Sequence, residues 1–296
     1  MAHHHHHHGH STQRIGLAFF LNLAFTLIEF VGGLLTNSTA ILADAVHDLG
    51  DSLALGMAWG MEKLSHKHPN QNFTYGFRRL SLVAALVNAL VLLVGSVWVI
   101  SHAIPRLWDP QMPVAEGMVV LALMGIAANG YAAYKLSHGN TLNERVLNWH
   151  LLEDVLGWVA VLVVAIVLLF VDWPILDPIL SIAFTLFILL NVGKNLYTTI
   201  KLFIQASPNP AQYQQMRQAM LEQQGVEDVH HMHFWSLDGE RHVLTAHVVV
   251  SENLSADHRH RLKTALSGAL SEFELAHTTI ELEYPDEVCR DQTSSG

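Results

Sequence analysis

The sequence is short of charge and of cysteine, and each shortage excludes a class of protein. Charged residues make up 14% of the 296 residues and hydrophobic residues 51%, whereas soluble domains usually carry about 25% charge. The lipid bilayer, rather than water, is therefore the expected main solvent. The single cysteine, Cys289, excludes an internal disulfide and a cysteine-rich zinc module. The net charge of −10 gives no indication of nucleic-acid binding.

Two motifs are also missing. The first ten residues form a histidine tract without the basic and apolar regions of a cleavable signal peptide. The tract is typical of an expression tag, with a native metal-scavenging tail as the alternative, and we assign residues 1–12 to it. The chain has no HExxH motif, which a zinc protease would require. An intramembrane metalloprotease or di-iron oxidase therefore remains a weak alternative, and we expect a protein that is not an enzyme.

Long apolar segments predict six transmembrane helices within residues 13–205. A helix needs about 20 apolar residues to cross a hydrocarbon core of ~30 Å. The expected spans are residues 15–35, 39–64, 80–104, 114–134, 142–171 and 174–199. The second span carries charge near its start, which would hide it from a hydropathy scan.

The basic residues of the loops predict the orientation of these spans. Cytoplasmic loops carry an excess of Lys and Arg. One side has eight basic residues and the other only Arg106, the eight being Arg14, Lys63, Lys67, Arg78, Arg79, Lys135, Arg145 and Lys201. We therefore expect both termini in the cytoplasm.

After a Ser-Pro-Asn-Pro segment at 207–210, the composition becomes that of a soluble domain. Helical spacing over 211–224 is followed by an alternating strand over 226–237 and a hairpin signal at Asp238-Gly239. A returning strand over 241–250, a helix over 255–273 capped by Ser255, and a strand over 278–284 complete the pattern. The order α-β-β-α-β predicts a cytoplasmic α+β domain over 206–290. Residues 291–296 are expected to be a disordered tail.

Two predicted membrane helices each carry a His followed four positions later by an Asp. These are His47 with Asp51 on the second span, and His150 with Asp154 on the fifth. Residues i and i+4 share one helix face, and a rise of 1.5 Å per residue puts both pairs about 14 to 20 Å from opposite surfaces. Two imidazoles and two carboxylates near the bilayer midplane form a complete ligand set for a tetrahedral divalent metal, most naturally zinc.

Other polar residues in the spans allow simpler interpretations. Buried polar pairs can hold helices together without binding a ligand, although each ionised carboxylate at midplane costs ~2.5–3.5 kcal/mol. Asp44 and Asp48 share a stripe with Asp51; Asp48 could orient an imidazole or face water. Glu153 is interpreted as a pore-lining or cytoplasm-facing charge. Helix packing or vestibule lining is expected for three further residues, Asn22, Glu29 and Asp177.

Histidines outside the spans suggest two further metal sites. In the C-terminal domain, His231 and His233 fall on one strand face, His247 on the neighbouring strand, and His277 before the final strand. Their convergence at one sheet edge would form a metal-sensing site, with ordinary strand histidines as the alternative. His66 and His68 lie two residues apart in the loop after the second span and could hold a weakly bound metal.

These motifs together resemble the cation diffusion facilitator family of metal transporters. The similar segments are LLTNSTAILADAVHDLGDS, YGFRRL, HLLEDVLGWVAVLV, Asp177-Pro178 and HMHFWSLDG with LTAHVVV, and they span about residues 13–285. The resemblance implies a homodimeric exporter of divalent metal driven by proton antiport, with a metallochaperone-like cytoplasmic domain. It assigns the transport ligands to His47, Asp51, His150 and Asp154. Zinc would be the transported ion and a regulatory ligand, and protons the counter-ion.

The resemblance also favours one transported metal, and the sequence departs from the family pattern at two places. Two His with two Asp resembles the zinc-preferring members, with cadmium, cobalt, nickel, iron and manganese as alternatives; two imidazoles argue against manganese. Asp48 stands where relatives usually have an uncharged residue, and NTLNERVLNWH lacks a Gly-Ala step often found before the fifth helix. A long His-rich loop between the fourth and fifth spans is absent, which indicates a bacterial member in the inner membrane. A non-transporting metal sensor remains the rival function.

Overall fold

The computed structural model describes residues 8–65, 69–137, 142–251 and 254–289. Contacts divide the chain into two compact units. The first comprises Met1–His68 and Val83–Leu196, and the second comprises Pro69–Leu82 and Tyr197–Gly296.

Six long helices account for the first two thirds of the chain, as the apolar segments predicted. They are α1 (His8–Thr36), α2 (Thr39–Ser65), α3 (Leu80–Ala103), α4 (Ala115–Leu136), α5 (Leu142–Phe170) and α6 (Leu176–Phe203). Within the described residues, five helices are long and apolar enough to cross a membrane, all except α2. α2 is less apolar because it carries Asp44, Asp48 and Asp51. The fold is a helical transmembrane domain followed by a small α+β domain.

The first helix begins earlier than the sequence suggested. We expected a tail through residue 12, but α1 starts at His8. Once a helix is nucleated, each further residue gains a backbone hydrogen bond, so an apolar helix can extend into polar residues that would not nucleate one. Residues 1–7 and 290–296, which include most of the predicted histidine tail and the whole predicted C-terminal tail, lie outside the described residues.

The turn between α1 and α2 is fixed by two neighbouring elements. Asn37 ends α1 with φ of 55°, a left-handed conformation that Asn tolerates better than most residues. The Arg106 guanidinium donates to the Asn37 backbone carbonyl (2.7 Å) and to its side-chain oxygen (2.5 Å). The backbone N–H of Val114, just before α4, donates to the carbonyl of Thr36 (2.8 Å). The segments that follow α3 and precede α4 therefore hold the start of α2 in place.

Asp177 of α6 caps the N-terminus of α2. Its buried carboxylate accepts hydrogen bonds from Ser38 Oγ (2.5 Å), from the N–H and hydroxyl of Thr39 (2.7 Å each) and from the N–H of Ala40 (3.3 Å). The first N–H groups of a helix have no partner within it, and an anion there also interacts favourably with the helix dipole. Ser181, one turn later, donates to the Thr39 carbonyl (2.9 Å). Asp177 thus joins α6 to α2. This agrees with helix packing, one of the two roles expected for it from the sequence.

Glycines allow two close helix crossings in the membrane domain. A Cβ on Gly50 of α2 would lie 2.5 Å from the Leu92 side chain of α3, and one on Gly125 of α4 would lie 2.3 Å from Trp158 of α5. Trp158 is fully buried in the core that α4 and α5 share. Small residues at such positions let backbones approach closely, which is how helices associate without a hydrophobic driving force between them.

The C-terminal domain has the predicted order α-β-β-α-β. Its elements are α7 (Pro210–Leu221), β1 (Val226–Ser236), β2 (His242–Val250), α8 (Ala256–Ala269) and β3 (Leu275–Glu283). β1 pairs antiparallel with β2 through the expected hairpin, whose Gly239 has φ of 102°. β3 pairs parallel with β2 and begins at Leu275, three residues before the predicted start, because the pairing already begins at His242 and Leu275. Side chains of both helices and all three strands form its core.

We predict that Asp177→Ala destabilises the membrane domain by about 2–4 kcal/mol, because several buried donors lose a charged acceptor at once. The midpoint of thermal unfolding of the protein in detergent micelles measures the loss. Asp172→Ala is the matched control, since Asp172 lies five residues earlier and is exposed. Equal midpoints for the two variants would contradict the capping role.

Candidate metal centres

The structure brings the two His-Asp pairs of α2 and α5 together. His150 Nε2 lies 2.8 Å from Asp51 Oδ2 and 3.9 Å from Asp154 Oδ2. His47 Nε2 lies 3.8 Å from Asp51 Oδ2 and 3.9 Å from Asp154 Oδ1. The two imidazole rings have centroids 5.7 Å apart and are nearly perpendicular. We call these four residues the tetrad.

The tetrad is partly open and polar. The side chains of His47, Asp51 and His150 are 28%, 27% and 33% exposed, and that of Asp154 is 11% exposed. Ligand atoms of His47, Asp51 and His150 all lie within 4.8 Å of one another. Two imidazole nitrogens and the oxygens of two carboxylates, supplied by two helices, can surround one small cation that can still exchange with solvent.

Asp48 does not occupy the water-facing position, one of the two expected for it. It is only 5% exposed, so it does not face water. The Nδ1 atom of His47 has no hydrogen-bond partner among the described residues, so Asp48 does not orient that ring. The backbone carbonyl of Asp48 accepts a hydrogen bond from Asn22 Nδ2 of α1 (3.3 Å). Glu153, next to Asp154, is exposed, which leaves its predicted role open. His66 and His68 lie outside the described residues, and their metal site stays a prediction.

A second cluster lies in the C-terminal domain around His247. The Nδ1 atom of His247 is 2.6 Å from Glu283 Oε1 and 3.3 Å from Cys289 Sγ. His230 Nε2 lies 3.1 Å from Glu283 Oε2, although without the alignment of a hydrogen bond. Ligand atoms of these four residues lie within 4.8 Å of one another, and three of the residues are buried. Imidazole, carboxylate and thiol groups in this arrangement suit zinc or a similar ion.

The predicted grouping of histidines in this domain is corrected by a β-bulge in β1. The pairing advances from His230 with His247 to His233 with Thr245, which leaves one extra residue in β1. His231 lies in the bulge with φ of 47°, a conformation that non-glycine residues seldom adopt. Its ring centroid lies 4.8 Å from that of His233 and 5.1 Å from that of His247. His231 is therefore a neighbour of both His233 and His247, but the ligand atoms grouped around His247 belong to His230, Glu283 and Cys289.

His277 does not lie in this cluster. Its Nε2 is 3.2 Å from Thr279 Oγ1, and its ring lies 5.9 Å from that of Tyr75. On β3, the residue opposite His247 is Glu281. Four residues of strand separate His277 from Glu281, roughly 13 Å at 3.3 Å per residue. The prediction that His277 lies together with the histidines of β1 and β2 was therefore wrong.

Three members of the His247 cluster were not predicted from the sequence, namely His230, Glu283 and Cys289. Strict alternation along β1 put His231 and His233 on one face and left out His230, because a bulge is invisible to a period-2 pattern. Glu283 is the last residue of β3 and Cys289 lies six residues after it, and from the sequence Cys289 served only as evidence against a cysteine-rich module. The signal available in the sequence was the chain's one thiol beside an acid-rich strand end in a histidine-rich domain.

His242, at the start of β2, has a lowered pKa. Burial lowers the pKa of its imidazole, and the nearby carboxylates of Asp238 and Glu274 offset part of that shift. The Nδ1 atom of His242 is buried without a hydrogen-bond partner among the described residues.

Comparison with known proteins relates both parts of the chain to one family. Residues 15–204 match the cation efflux transmembrane domain, and residues 208–284 match the cytoplasmic domain of cation efflux proteins. The chain is 33% identical to the zinc transporter ZitB of Pectobacterium atrosepticum over 96% of its own length and 89% of the relative's. It is 33% identical to ZitB of Escherichia coli, covering 93% of this chain and 88% of that one.

A third relative is named for several metals. The chain is 29% identical to the cadmium, cobalt and zinc/H(+)-K(+) antiporter of Bacillus velezensis, over 96% of this chain and 92% of the relative. The matches cover nearly the whole chain, and the family model and all three relatives are named for metal-ion transport, so the chain is a transporter and not the metalloenzyme that was the alternative. The chain belongs to the cation efflux family, the cation diffusion facilitators that its motifs resemble, and is a multi-pass membrane transporter of divalent metal.

Proposed function

We propose that this protein exports zinc from the cytoplasm in exchange for protons, and that zinc binds at the tetrad of His47, Asp51, His150 and Asp154. The observation that carries the proposal is the approach of the two His-Asp pairs, with nitrogen–oxygen distances of 2.8 to 3.9 Å across α2 and α5. Ligands about 2.0–2.2 Å from a tetrahedral zinc lie about 3.4 Å from one another. The observed distances bracket that value, so zinc binding would need only small shifts of side chains.

Proton coupling follows from the chemistry of these ligands. Zinc requires neutral imidazoles and ionised carboxylates, so a proton and a metal compete for each group. The 2.8 Å hydrogen bond between His150 Nε2 and Asp51 Oδ2 requires a proton on one of the two atoms. Zinc would need both atoms without that proton, and its binding would release it. Histidine titrates near neutral pH, which makes the exchange reversible under cellular conditions.

Zinc is the preferred metal in this proposal, with others as alternatives. Two imidazoles favour zinc over manganese, which prefers oxygen ligands. Two relatives are named zinc transporters, and a third is named for cadmium, cobalt and zinc with protons and potassium. We therefore infer zinc as the substrate and protons as the counter-ion, and rank cadmium and cobalt ahead of nickel, iron and manganese.

The setting of the transporter is part of the same proposal. The loop Lys and Arg residues favour both termini in the cytoplasm, and the C-terminal domain matches a domain described as cytoplasmic. We infer the bacterial inner membrane as the location and a homodimer as the working form. In transport, zinc would bind from the cytoplasm, α2 and α5 would tilt, and protons would replace zinc from the outside.

We further propose that the C-terminal cluster binds zinc as a regulatory ligand. His230, His247, Glu283 and Cys289 supply nitrogen, oxygen and sulfur ligands from strands β1, β2 and β3 and the segment after β3. Zinc would link elements that are distant in sequence, and binding to the folded domain alone would stabilise it. Bound zinc would thereby report the cytoplasmic concentration of the transported ion.

Loss of a tetrad ligand should abolish transport. We expect His47→Ala or Asp154→Ala to lower zinc uptake into everted vesicles or proteoliposomes about 100-fold or more under an imposed proton gradient. A zinc-sensitive dye inside the vesicles measures the flux. His102→Ala is the matched control, because His102 lies exposed at the far end of α3 with its Nδ1 near the Trp98 carbonyl. Wild-type flux in either tetrad variant would refute the assignment.

Competition between zinc and protons predicts a pH dependence. The zinc concentration for half-maximal transport should rise as pH falls on the zinc-loading side, by up to about tenfold per pH unit for each displaced proton. Initial rates at several zinc concentrations between pH 5.5 and 8 give this value. A half-saturating concentration that does not change with pH would argue against a shared site.

Cobalt spectroscopy separates the regulatory cluster from the tetrad. A cobalt ion bound by the full-length protein should show a sulfur-to-cobalt charge-transfer band in the near ultraviolet, since the chain has one cysteine. Cys289→Ser should remove the band and leave zinc transport through the tetrad in place at saturating zinc. His277→Ala is the matched control. It should retain the band, because His277 lies outside the cluster. An unchanged band in Cys289→Ser, or no band in the wild type, would reject the thiolate ligand.

A further inference from the structure

A cavity of about 510 Å³ lies within the second compact unit, between the segment that precedes α3, the β1–β2 hairpin and the start of β3. Five of its lining side chains can donate hydrogen bonds, namely Thr74, Tyr75, Arg78, Arg241 and His277. No acidic side chain lines it among the described residues. The proposed transport site and the proposed regulatory cluster use none of these five. In a chain with a net charge of −10, such a cavity needs an explanation of its own.

The segment before α3 forms an ordered turn that positions two of these side chains. The backbones of Asn70 and Phe73 exchange two hydrogen bonds (3.1 Å each), and Asn70 Oδ1 also accepts from the Phe73 N–H (2.9 Å). Gly76 has φ of 72° and donates its N–H to the Phe73 carbonyl (2.9 Å). Glycine adopts this left-handed conformation without strain. These bonds fix the backbone on both sides of Tyr75 and two residues before Arg78.

The hairpin and β3 supply the other side of the cavity. Asp238 Oδ1 accepts a hydrogen bond from the backbone N–H of Arg241 (2.8 Å), which holds the backbone of Arg241 at the start of β2. On β3, the ring of His277 lies 5.9 Å from that of Tyr75 and is nearly perpendicular to it. Side chains from three segments that are distant in sequence therefore meet at one cavity.

Neither arginine of the cavity has a partner for its charge. No ion pair within 4 Å joins Arg78 or Arg241 to an acid among the described residues, whereas Arg217 of the same domain pairs with Asp228 at 3.2 Å. The hairpin acid Asp238 uses its carboxylate on backbone N–H groups. Two guanidinium groups at one cavity repel each other, and an anion between them would replace that repulsion with charge-assisted hydrogen bonds.

The donors of the cavity suit a phosphate group. A guanidinium presents a planar fork of N–H groups that matches two phosphate oxygens at once. The Tyr75 hydroxyl and the His277 imidazole can donate to the remaining oxygens. The volume of about 510 Å³ falls within the usual range for small-molecule sites, so a phosphate that carries an organic group would fill the cavity better than a bare ion.

The position of the cavity in the chain favours a lipid as the source of the phosphate. Arg78 lies two residues before α3, and Leu80–Leu107 is long and apolar enough to cross a membrane. Phe73 and Tyr75 are 49% and 41% exposed, and tyrosine in particular is enriched where a membrane meets water. Basic residues next to a transmembrane helix attract anionic lipids.

We propose that Arg78 and Arg241, together with Tyr75 and His277, bind the phosphate of an anionic phospholipid headgroup. The bound headgroup connects the turn between α2 and α3 to the C-terminal domain. Because that turn follows α2, which carries His47 and Asp51, the lipid would act on a helix that binds zinc in the proposed mechanism. The phosphate site itself does not depend on either zinc site. Free phosphate has the same chemistry, and the test separates the two sources.

The test measures binding to the purified full-length protein in detergent micelles, with a zinc chelator present. Isothermal titration calorimetry compares dihexanoyl phosphatidylglycerol, dihexanoyl phosphatidylcholine and inorganic phosphate at equal ionic strength. We expect phosphatidylglycerol to bind saturably and phosphatidylcholine to bind at least about tenfold more weakly, because the choline cation opposes the arginines.

Each other outcome contradicts part or all of the proposal. Saturable binding of inorganic phosphate without phosphatidylglycerol would keep the phosphate site and overturn the lipid as its source. Equal binding of the two lipids would show that their acyl chains are recognised, and would refute the site. No saturable binding of either anion would refute it as well.

Variants locate the binding. Arg78→Gln and Arg241→Gln should each weaken phosphatidylglycerol binding about tenfold or more, because each removes charged hydrogen bonds to the phosphate. Arg261→Gln is the matched control at an exposed arginine of α8 outside the cavity, and it should retain the affinity. His47→Ala should also retain it, so failure of the transport site and failure of this site are distinguishable. Unchanged affinity in both cavity variants would refute the assignment.

A structural measurement on the wild type guards against variants that do not fold. Tungstate has the shape of phosphate and scatters X-rays anomalously, so crystals soaked in sodium tungstate show where a phosphate-like anion binds. A peak between the Arg78 and Arg241 guanidinium groups is expected. A peak absent from this cavity and present elsewhere would contradict the proposed site.

Discussion

The energetic cost of carboxylates inside an apolar helix bundle is the constraint on which the membrane domain depends. An ionised carboxylate at the bilayer centre costs ~2.5–3.5 kcal/mol on insertion scales. Two acids, Asp51 and Asp154, are compensated by imidazoles within 4 Å. A third, Asp177, accepts hydrogen bonds at the N-terminus of α2. Both sets of contacts involve α2, so side chains of α5 and of α6 together hold that helix in position.

α2 is therefore held firmly at its N-terminal end and more loosely at the tetrad in its middle. The capped first turn at Thr39 and the tetrad residue His47 lie eight residues apart, about 12 Å along one helix. Three of the four tetrad contacts are longer than a hydrogen bond, at 3.8 to 3.9 Å, whereas three of the four bonds of the cap are 2.5 to 2.7 Å long. A tilt of α2 about its capped end would therefore change the tetrad first. In the proposed mechanism, such a tilt would alter the affinity of the tetrad for the ion.

How much the sequence could predict depended on whether a feature followed a regular period. The helix ends were predicted to within about four residues, except the start of α1, which lies at His8 instead of residue 15. The meeting of His47 with His150 followed from i,i+4 spacing and matched depth. The place of His230 could not be predicted, because the bulge at His231 interrupts the alternation of β1. Nor could the capping of α2 by Asp177, because that contact joins residues about 140 positions apart and no local pattern records it.

The two metal centres differ in ways that match different tasks. The tetrad has no sulfur ligand, and three of its side chains are about 30% exposed, so a bound ion could exchange with water or protons. The His247 cluster adds a thiol, and His247, Glu283 and Cys289 are 6%, 6% and 4% exposed, so an ion there would be enclosed and would leave slowly. Rapid release suits a carrier and slow release suits a sensor. Burial and ligand softness thus separate the proposed transport site from the proposed regulatory one, although both use histidine and a carboxylate.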